Sequence, residues 1–251
     1  MVARSLTTGR LQRDAHRVAK NELAALIERL VLSGQDRLPS EDELSALLEV
    51  SRATVRSALL SLQKDGVVQR LHGRGTYINR HALRAQANIS QDRAFAEILA
   101  EMGHEVVTDS TDVRVEERTT SISRIFDWED VTHLCVIRRV FYADGQPAVF
   151  TIDHVPMRVL PENELPDNGD ESIFDFLRVR AGRQVRYSVA EIVPTMPHQE
   201  VVDALNLADG VPVLLLEHTH VDESDVPVAF TQAYVNDKSL RFSVVRTYTN
   251  S

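Results

Sequence analysis

Leu38-Pro39-Ser40-Glu41-Asp42-Glu43-Leu44, followed by Val50-Ser51-Arg52-Ala53-Thr54-Val55-Arg56, decides how the front of this chain folds. Ser40 with Glu43 three residues on is a capping-box pattern, so a helix starts at about Glu41. That helix sets Leu44, Leu47 and Leu48 on one face and breaks near Glu49. Ser51 caps a second helix, whose apolar stripe is Val55, Ala58, Leu59 and Leu62. Arg52, Thr54 and Arg56 stand at its start and on its opposite face. Cationic donors at the N-terminal end of the second of two short-coupled helices are what reading a DNA major groove requires.

The residues that follow extend the reading. Asp65-Gly66 closes the second helix. Val67–Leu71 is strand-like, His72-Gly73-Arg74-Gly75 is a tight turn, and Thr76–Asn79 is a returning strand. A hairpin with a glycine-flanked arginine at its tip is a wing. The glycines let the backbone approach DNA closely, and Arg74 can meet phosphate or enter the minor groove. The alternative is an ordinary helical domain with a hairpin, which leaves the agreement of cap, spacing and wing unexplained.

These residues resemble the GntR family of bacterial transcription regulators. The resemblance rests on Leu-Pro-Ser-Glu at 38–41, Ser-Arg-x-Thr-Val-Arg at 51–56, Asp65-Gly66 and His-Gly-x-Gly-Thr at 72–76. It implies a winged helix-turn-helix that binds short palindromic operators as a homodimer, most often as a repressor. By that resemblance Ser51, Arg52, Thr54 and Arg56 are the contact positions of the recognition helix, and His72, Gly73 and Arg74 those of the wing. Asp42 occupies a slot where some members carry arginine, so the contact such an arginine makes is absent.

Charge agrees with a division of labour. Residues 1–80 hold 13 basic and 9 acidic side chains, a net of +4, and the remainder holds 15 basic and 28 acidic, a net of −13. A basic head on an acidic body confines DNA binding to one end. The whole chain, at −9, is poorly suited to non-specific binding of nucleic acid. Cys135 is the only cysteine, which leaves no intramolecular disulfide and no cysteine zinc cluster. It sits in an apolar run and reads as a reduced core residue. No apolar run approaches 18 residues and no signal peptide is visible, so a cytoplasmic location without membrane contact is expected.

The organisation expected is a winged helix-turn-helix over 12–79, a linker over 80–92 and a second domain over 93–251. An amphipathic helix from about Asp14 to Ser33 carries Val18, Leu23, Leu26, Ile27 and Leu30, and opens the head. In the body a helix with Phe95, Ile98, Leu99 and Met102 stops at Gly103. Strand-like runs follow at Val106–Glu116, His133–Tyr142 and Pro147–Val155, the last two flanking the hairpin signal Asp144-Gly145. Ser172 caps a helix that ends at Gly182. Then come a strand at Val185–Pro194, a helix at Pro197–Leu207, a hairpin of Val211–Val221 with Val226–Val235, and a last strand at Phe242–Tyr248. The fold class is α+β.

This second half resembles the UTRA effector domain of the HutC subfamily. The features are the Phe95–Gly103 helix, Arg139 before Tyr142-Ala143-Asp144-Gly145-Gln146-Pro147, the Ser172 helix, and Ala204-Leu205-Asn206-Leu207 leading into Val211–Glu217. The implied fold is similar to chorismate lyase, an antiparallel sheet with helices around a small-molecule cleft. Sugar-phosphate-binding relatives carry an Arg-x-Arg pair on the strand before the turn. The matching positions here are Arg139 and Phe141, so half the clamp is missing. Thr151 and Phe174 likewise stand where relatives carry Glu and Tyr. Effector candidates are therefore Arg139, Phe141, Thr151, Asp153, Ser172 and Phe174. Arg139 with the Ser172 helix start suits an anion, and the phenylalanines suit an apolar or aromatic body. The alternative for Arg139 is a surface or inter-strand ion pair, and for Asp153 a satisfied polar residue at a sheet edge.

His218, His220 and Asp222 alternate along one strand and form a weak metal pattern without a fourth ligand, the alternative being pocket lining or a solvated face. No metal, cofactor or catalytic residue is assigned. An enzyme using the lyase-like body is the first rival function, but no nucleophile–base pair is present. The only lysines are Lys20, Lys64 and Lys238, a poor supply for Schiff-base chemistry. A non-specific DNA-architectural protein is the second rival, and the acidic body disfavours it.

Overall fold

The computed structural model of the 251-residue chain describes residues 18–20, 22–71, 73–80, 82–84, 87, 88, 93–119, 122, 125, 131–161, 165 and 171–245. Two compact units emerge, one of residues 1–90 with 242–251 and one of 91–241.

The first unit begins with helix α1, continuous over 22–32, with residues 18–20 also helical. Ala19, Leu23 and Ile27 are fully buried at a spacing of four. Val18, expected on that face, points outward, and Ala19 takes the buried position. Helix α2 spans Glu41–Leu47. Ser40 Oγ accepts the Glu43 N–H while the Glu43 carboxylate accepts the Ser40 N–H, so the capping box forms as read. Only Leu44 of α2 is buried; Leu47 faces solvent. Glu49 adopts φ +53°, the left-handed conformation that stops the chain from continuing as helix. Helix α3, Arg52–Lys64, buries Val55, Ala58, Leu59 and Leu62 against α1 and Leu44. Gly66, at φ +73°, follows it. A Cβ there would lie 2.4 Å from Val245 Cγ1, so a close approach as well as the backbone angle requires glycine.

Strands β1 (Val68–Leu71) and β2 (Gly75–Ile78) pair antiparallel, with Val68 opposite Ile78 and Leu71 opposite Gly75. Residues 36–38 add to the same ribbon, because Leu38 N–H donates to Thr76 O and Ile78 N–H to Asp36 O. The expected linker carries structure. It contains a 3-10 turn at Ala82–Arg84 and β3, Ala87–Asn88, which pairs in parallel with Phe242–Ser243. The last strand therefore groups with the first unit. It is shorter than expected, and 246–251 lie outside the described residues.

The second unit opens with α4, Phe95–Glu101. Six strands follow with two helices among them: β4 (Val106–Glu117), β5 (His133–Ala143), β6 (Gln146–Pro156), α5 (Ile173–Val179), β7 (Val185–Thr195), α6 (Gln199–Ala204), β8 (Val213–Asp222) and β9 (Pro227–Val235). The strands form one antiparallel sheet in the order β4-β5-β6-β9-β8-β7. Asp144 and Gly145 both have positive φ, the demand of a tight two-residue hairpin between β5 and β6. Strand alternation splits the core between the two faces. Leu134, Val136, Val140, Phe150 and Phe230 pack with Val201 and Leu205 around α6. Cys135, Ile137 and Val155 pack with Ile173, Phe176 and Leu177 of α5. Burial pushes the Cys135 thiol up to about 11, with the nearby Asp153 charge adding to it, so it stays protonated and unreactive. Among the described residues no helix is long and apolar enough to cross a membrane.

Candidate nucleic-acid interface and candidate effector cleft

In the head, Ser51 and Thr54 serve the helix start. Ser51 Oγ accepts the Thr54 N–H at 3.1 Å and lies 2.8 Å from Thr54 Oγ1. Arg52 projects into solvent, 70% exposed, and pairs at 2.8 Å with Asp42, itself 60% exposed. Arg56 donates to Glu41 through Nε at 3.1 Å and Nη2 at 2.8 Å. Arg70 of β1 donates to the other oxygen of the same carboxylate. The hydrogen bond from Arg56, with its charge and that of Arg70, holds the Glu41 carboxyl below its ordinary range.

Sequence reasoning did not single out Glu41 and Arg70 as partners of the recognition helix. The signal available was the acidic first turn of α2, read only as a capping pattern. At the wing, Gly73 at φ +71° and Gly75 at φ +103° flank an exposed Arg74. Gly75 also sits beneath the Arg37 guanidinium, where a Cβ would come within 3.2 Å of Nε. His72 lies outside the described residues.

In the body, all six effector candidates line one cleft of about 520 Å³, together with residues of α4 and β8. Register explains their meeting. Arg139 and Phe141 point to the α5 face of β5, where Arg139 stands opposite Thr151 and Ile137 opposite Asp153. Asp153 stands opposite Thr231, and Thr231 opposite His218. One face of four adjacent strands thus brings these side chains together.

Arg139 is 3% exposed on its side chain and Asp153 1%, and the two form an ion pair. A second nitrogen of Arg139 donates to the Glu171 carbonyl. Asp153 also accepts from Thr231 Oγ1 and, at 3.4 Å, from Thr151 Oγ1. Thr231 Oγ1 lies 3.0 Å from His220 Nε2, and His220 Nδ1 lies 2.6 Å from Ser188 Oγ. The floor is thus a buried hydrogen-bonded chain from β5 to β7. Ser172 Oγ accepts the Asp175 N–H and donates to the Asp175 carboxylate, so a side-chain anion already sits at that helix start.

The walls are aromatic. Phe95 and Phe141 rings lie 5.9 Å apart, Phe174 meets His220 edge-on at 5.3 Å, and His218 stacks on His220 at 5.9 Å. Sequence reasoning missed Phe95 and Thr231 as cleft residues, whereas His218 and His220 line the cleft, one of the readings open for them. Only the strand register, which pairs β6 with β9 across 78 residues of sequence, brings Thr231 to Asp153. The His218, His220 and Asp222 pattern does not assemble. A register shift after His220 breaks the alternation, and Asp222 turns into the hairpin to accept from Ser224 N, Val226 N and Arg183. Among the described residues no group of His, Cys, Asp and Glu could hold a metal ion.

A capped helix pair with a wing, joined in one chain to a sheet domain with a partly open cleft, defines a ligand-responsive DNA-binding regulator. The chain belongs to the GntR family of bacterial regulatory proteins: residues 16–78 match the gntR-family regulatory domain and 101–241 match the UTRA domain. It is 30% identical over 212 residues to the HTH-type transcriptional regulator Rv0792c of Mycobacterium tuberculosis, covering 83% of this chain and 77% of that one. It is 27% identical over 183 residues to the HTH-type transcriptional repressor NagR of Bacillus subtilis, covering 72% and 74%. The fold is similar to that of the possible transcriptional regulator YydK of Bacillus subtilis, with a TM-score of 0.73 at 18% identity over 93% of this chain and 99% of the other. The protein is a transcription regulator with a DNA-binding head and an effector-binding body, and not an enzyme.

Proposed function

We propose that the protein acts in the cytoplasm as a homodimeric repressor of a palindromic operator, released or engaged by a small molecule in the UTRA cleft. The observation that carries the DNA half is Arg52 and Arg56 projecting from the capped start of α3, each oriented by an acidic residue of α2. Exposed pairs of this kind contribute little to stability and exchange readily for a phosphate or a base edge. In this reading Ser51 and Thr54 set the helix start against the backbone, and Gly73 and Arg74 of the wing, with His72, reach phosphate or the minor groove.

The effector half rests on the convergence of Arg139, Phe141, Thr151, Asp153, Ser172 and Phe174 on one cleft. An anionic effector held by Arg139 would have to share that guanidinium with Asp153. Selection of bound duplexes from a random library tests the DNA half. Recovery of a two-fold symmetric site bound at least a thousandfold more tightly than bulk DNA is expected. Equal affinity for all sequences would instead mark an architectural protein.

A further inference from the structure

We infer that the cleft selects an uncharged aromatic molecule, because both arginines that line it are already neutralised by carboxylates of the protein itself. This rests on the cleft being the effector site. Arg139 is paired with Asp153 at the floor, and Arg93 at the rim is paired with Glu101 and Glu97.

The floor pair is not poised to open. Asp153 is held on its other side by Thr231, which is itself fixed by His220 and through it by Ser188. A ligand carboxylate close enough to reach Arg139 would stand beside a buried, immobile Asp153, and two carboxylates sharing one site repel strongly. The other anion-binding feature expected from the sequence, the start of α5, carries Asp175 hydrogen-bonded to Ser172. Meanwhile Phe95, Phe141 and Phe174 offer ring edges and faces, and the remaining polar lining includes the hydroxyl of Thr108. Flat aromatic surface with a hydroxyl or carbonyl group matches these walls.

The test compares indole-3-carboxamide with indole-3-carboxylate, which have the same shape and differ in charge. Binding is measured by calorimetry to the full-length protein at pH 8, where the probe carboxylate is fully ionised. The wild type should bind the carboxamide at least tenfold more tightly, and Phe141→Ser should weaken that binding by a similar factor. Asp153→Asn leaves Arg139 as an uncompensated buried cation, so this variant should reverse the preference and gain thermal stability from the carboxylate. If Asp153→Asn does not fold, the double substitution Arg139→Gln with Asp153→Asn restores neutrality and should keep the wild-type preference. Tighter binding of the carboxylate to the wild type, lost in Phe141→Ser, overturns the inference while leaving the cleft as the effector site. Binding of either probe that ignores Phe141→Ser overturns the cleft as the site. Failure of both probes to bind overturns the aromatic selection itself.

Discussion

Glu41, in the first turn of α2, accepts two hydrogen bonds from Arg56 of α3 and a third from Arg70 of the wing strand. One carboxylate thus ties the recognition helix to the hairpin that follows it. Long arginine side chains lose much rotamer freedom when they bind DNA. Holding them near their working positions beforehand lowers that cost, and the exposed charge pairs remain weak enough to exchange.

Arg52 has no packing role, being 70% exposed and paired only with Asp42 in the described contacts. Arg52→Ala should lower operator affinity by roughly tenfold to a hundredfold, the usual weight of an arginine–base contact, while affinity for random duplex falls far less. Thermal unfolding should be unchanged. A gel-shift titration with specific and random duplexes checks it, and equal losses on both would move Arg52 to a phosphate role.

Arg74 stands at the exposed tip of a hairpin whose flanking glycines have positive φ. Its contribution should be electrostatic. Arg74→Ala should weaken binding to all duplexes alike and reduce the slope of log affinity against log salt by about one. Loss of preference at individual base pairs, with the slope intact, would contradict that role.

Gly66 should tolerate no side chain. Gly66→Ala meets both the left-handed backbone angle and Val245 at 2.4 Å. Melting of the head should drop by the equivalent of more than about 1 kcal/mol. Adding Val245→Ala should recover only the steric part. Full recovery by the double variant would show that backbone strain counts for nothing there.

The helix-turn-helix was legible because its signals are local. Cap, apolar stripe and turn glycine lie within a few residues of one another, and the caps at Ser40 and Ser51, the α3 stripe and Gly66 were found where they were read, while of the α2 face only Leu44 is buried. The hairpins of the body were legible for the same reason. The cleft was legible as a set of residues but not as a charge state. Arg139 and Asp153 are 14 residues apart, and a one-residue shift of strand register would have parted them. Thr231, His220 and Ser188 belong to strands much later in the chain, so no window of sequence holds the network that pins Asp153. Val18 misled because helix phase over one turn is ambiguous between neighbours, and the small Ala19 faces the core instead.

His154 makes stability depend on pH. It is buried beside Phe230, and desolvation lowers its pKa below the ordinary value of 6.5 despite the opposing charge of Asp153. The unfolded chain therefore takes up a proton here more readily than the folded one. Stability from this group is fully present above about pH 6.5 and is lost as pH falls toward the lowered folded value. Urea midpoints should decline between pH 7 and pH 5.5, and His154→Gln should flatten that decline. An unchanged slope in the variant would assign the acid sensitivity to other groups.

Dimerisation should reside in the body. Strand β7 is an edge of the sheet, and it exposes Val189 at 54%, Ile192 at 50% and Val193 at 38%, with Met196 just beyond it at 62%. Edge strands that stay unpaired are normally short or guarded by lysine, proline or a bulge. β7 runs for 11 residues and carries the exposed charges Arg186 and Glu191, Pro194 and a register shift near its start as guards. A two-fold axis through such an edge pairs the strand with its own copy, brings Val189 and Val193 together on one face and Ile192 on the other, and suits an isologous contact. It would also hold two heads for a palindromic site. Wild-type protein should sediment as a dimer, and Ile192→Lys with Val189→Lys should yield a folded monomer with operator affinity reduced at least a hundredfold. A dimer that survives both lysines at micromolar concentration would put the interface on another face.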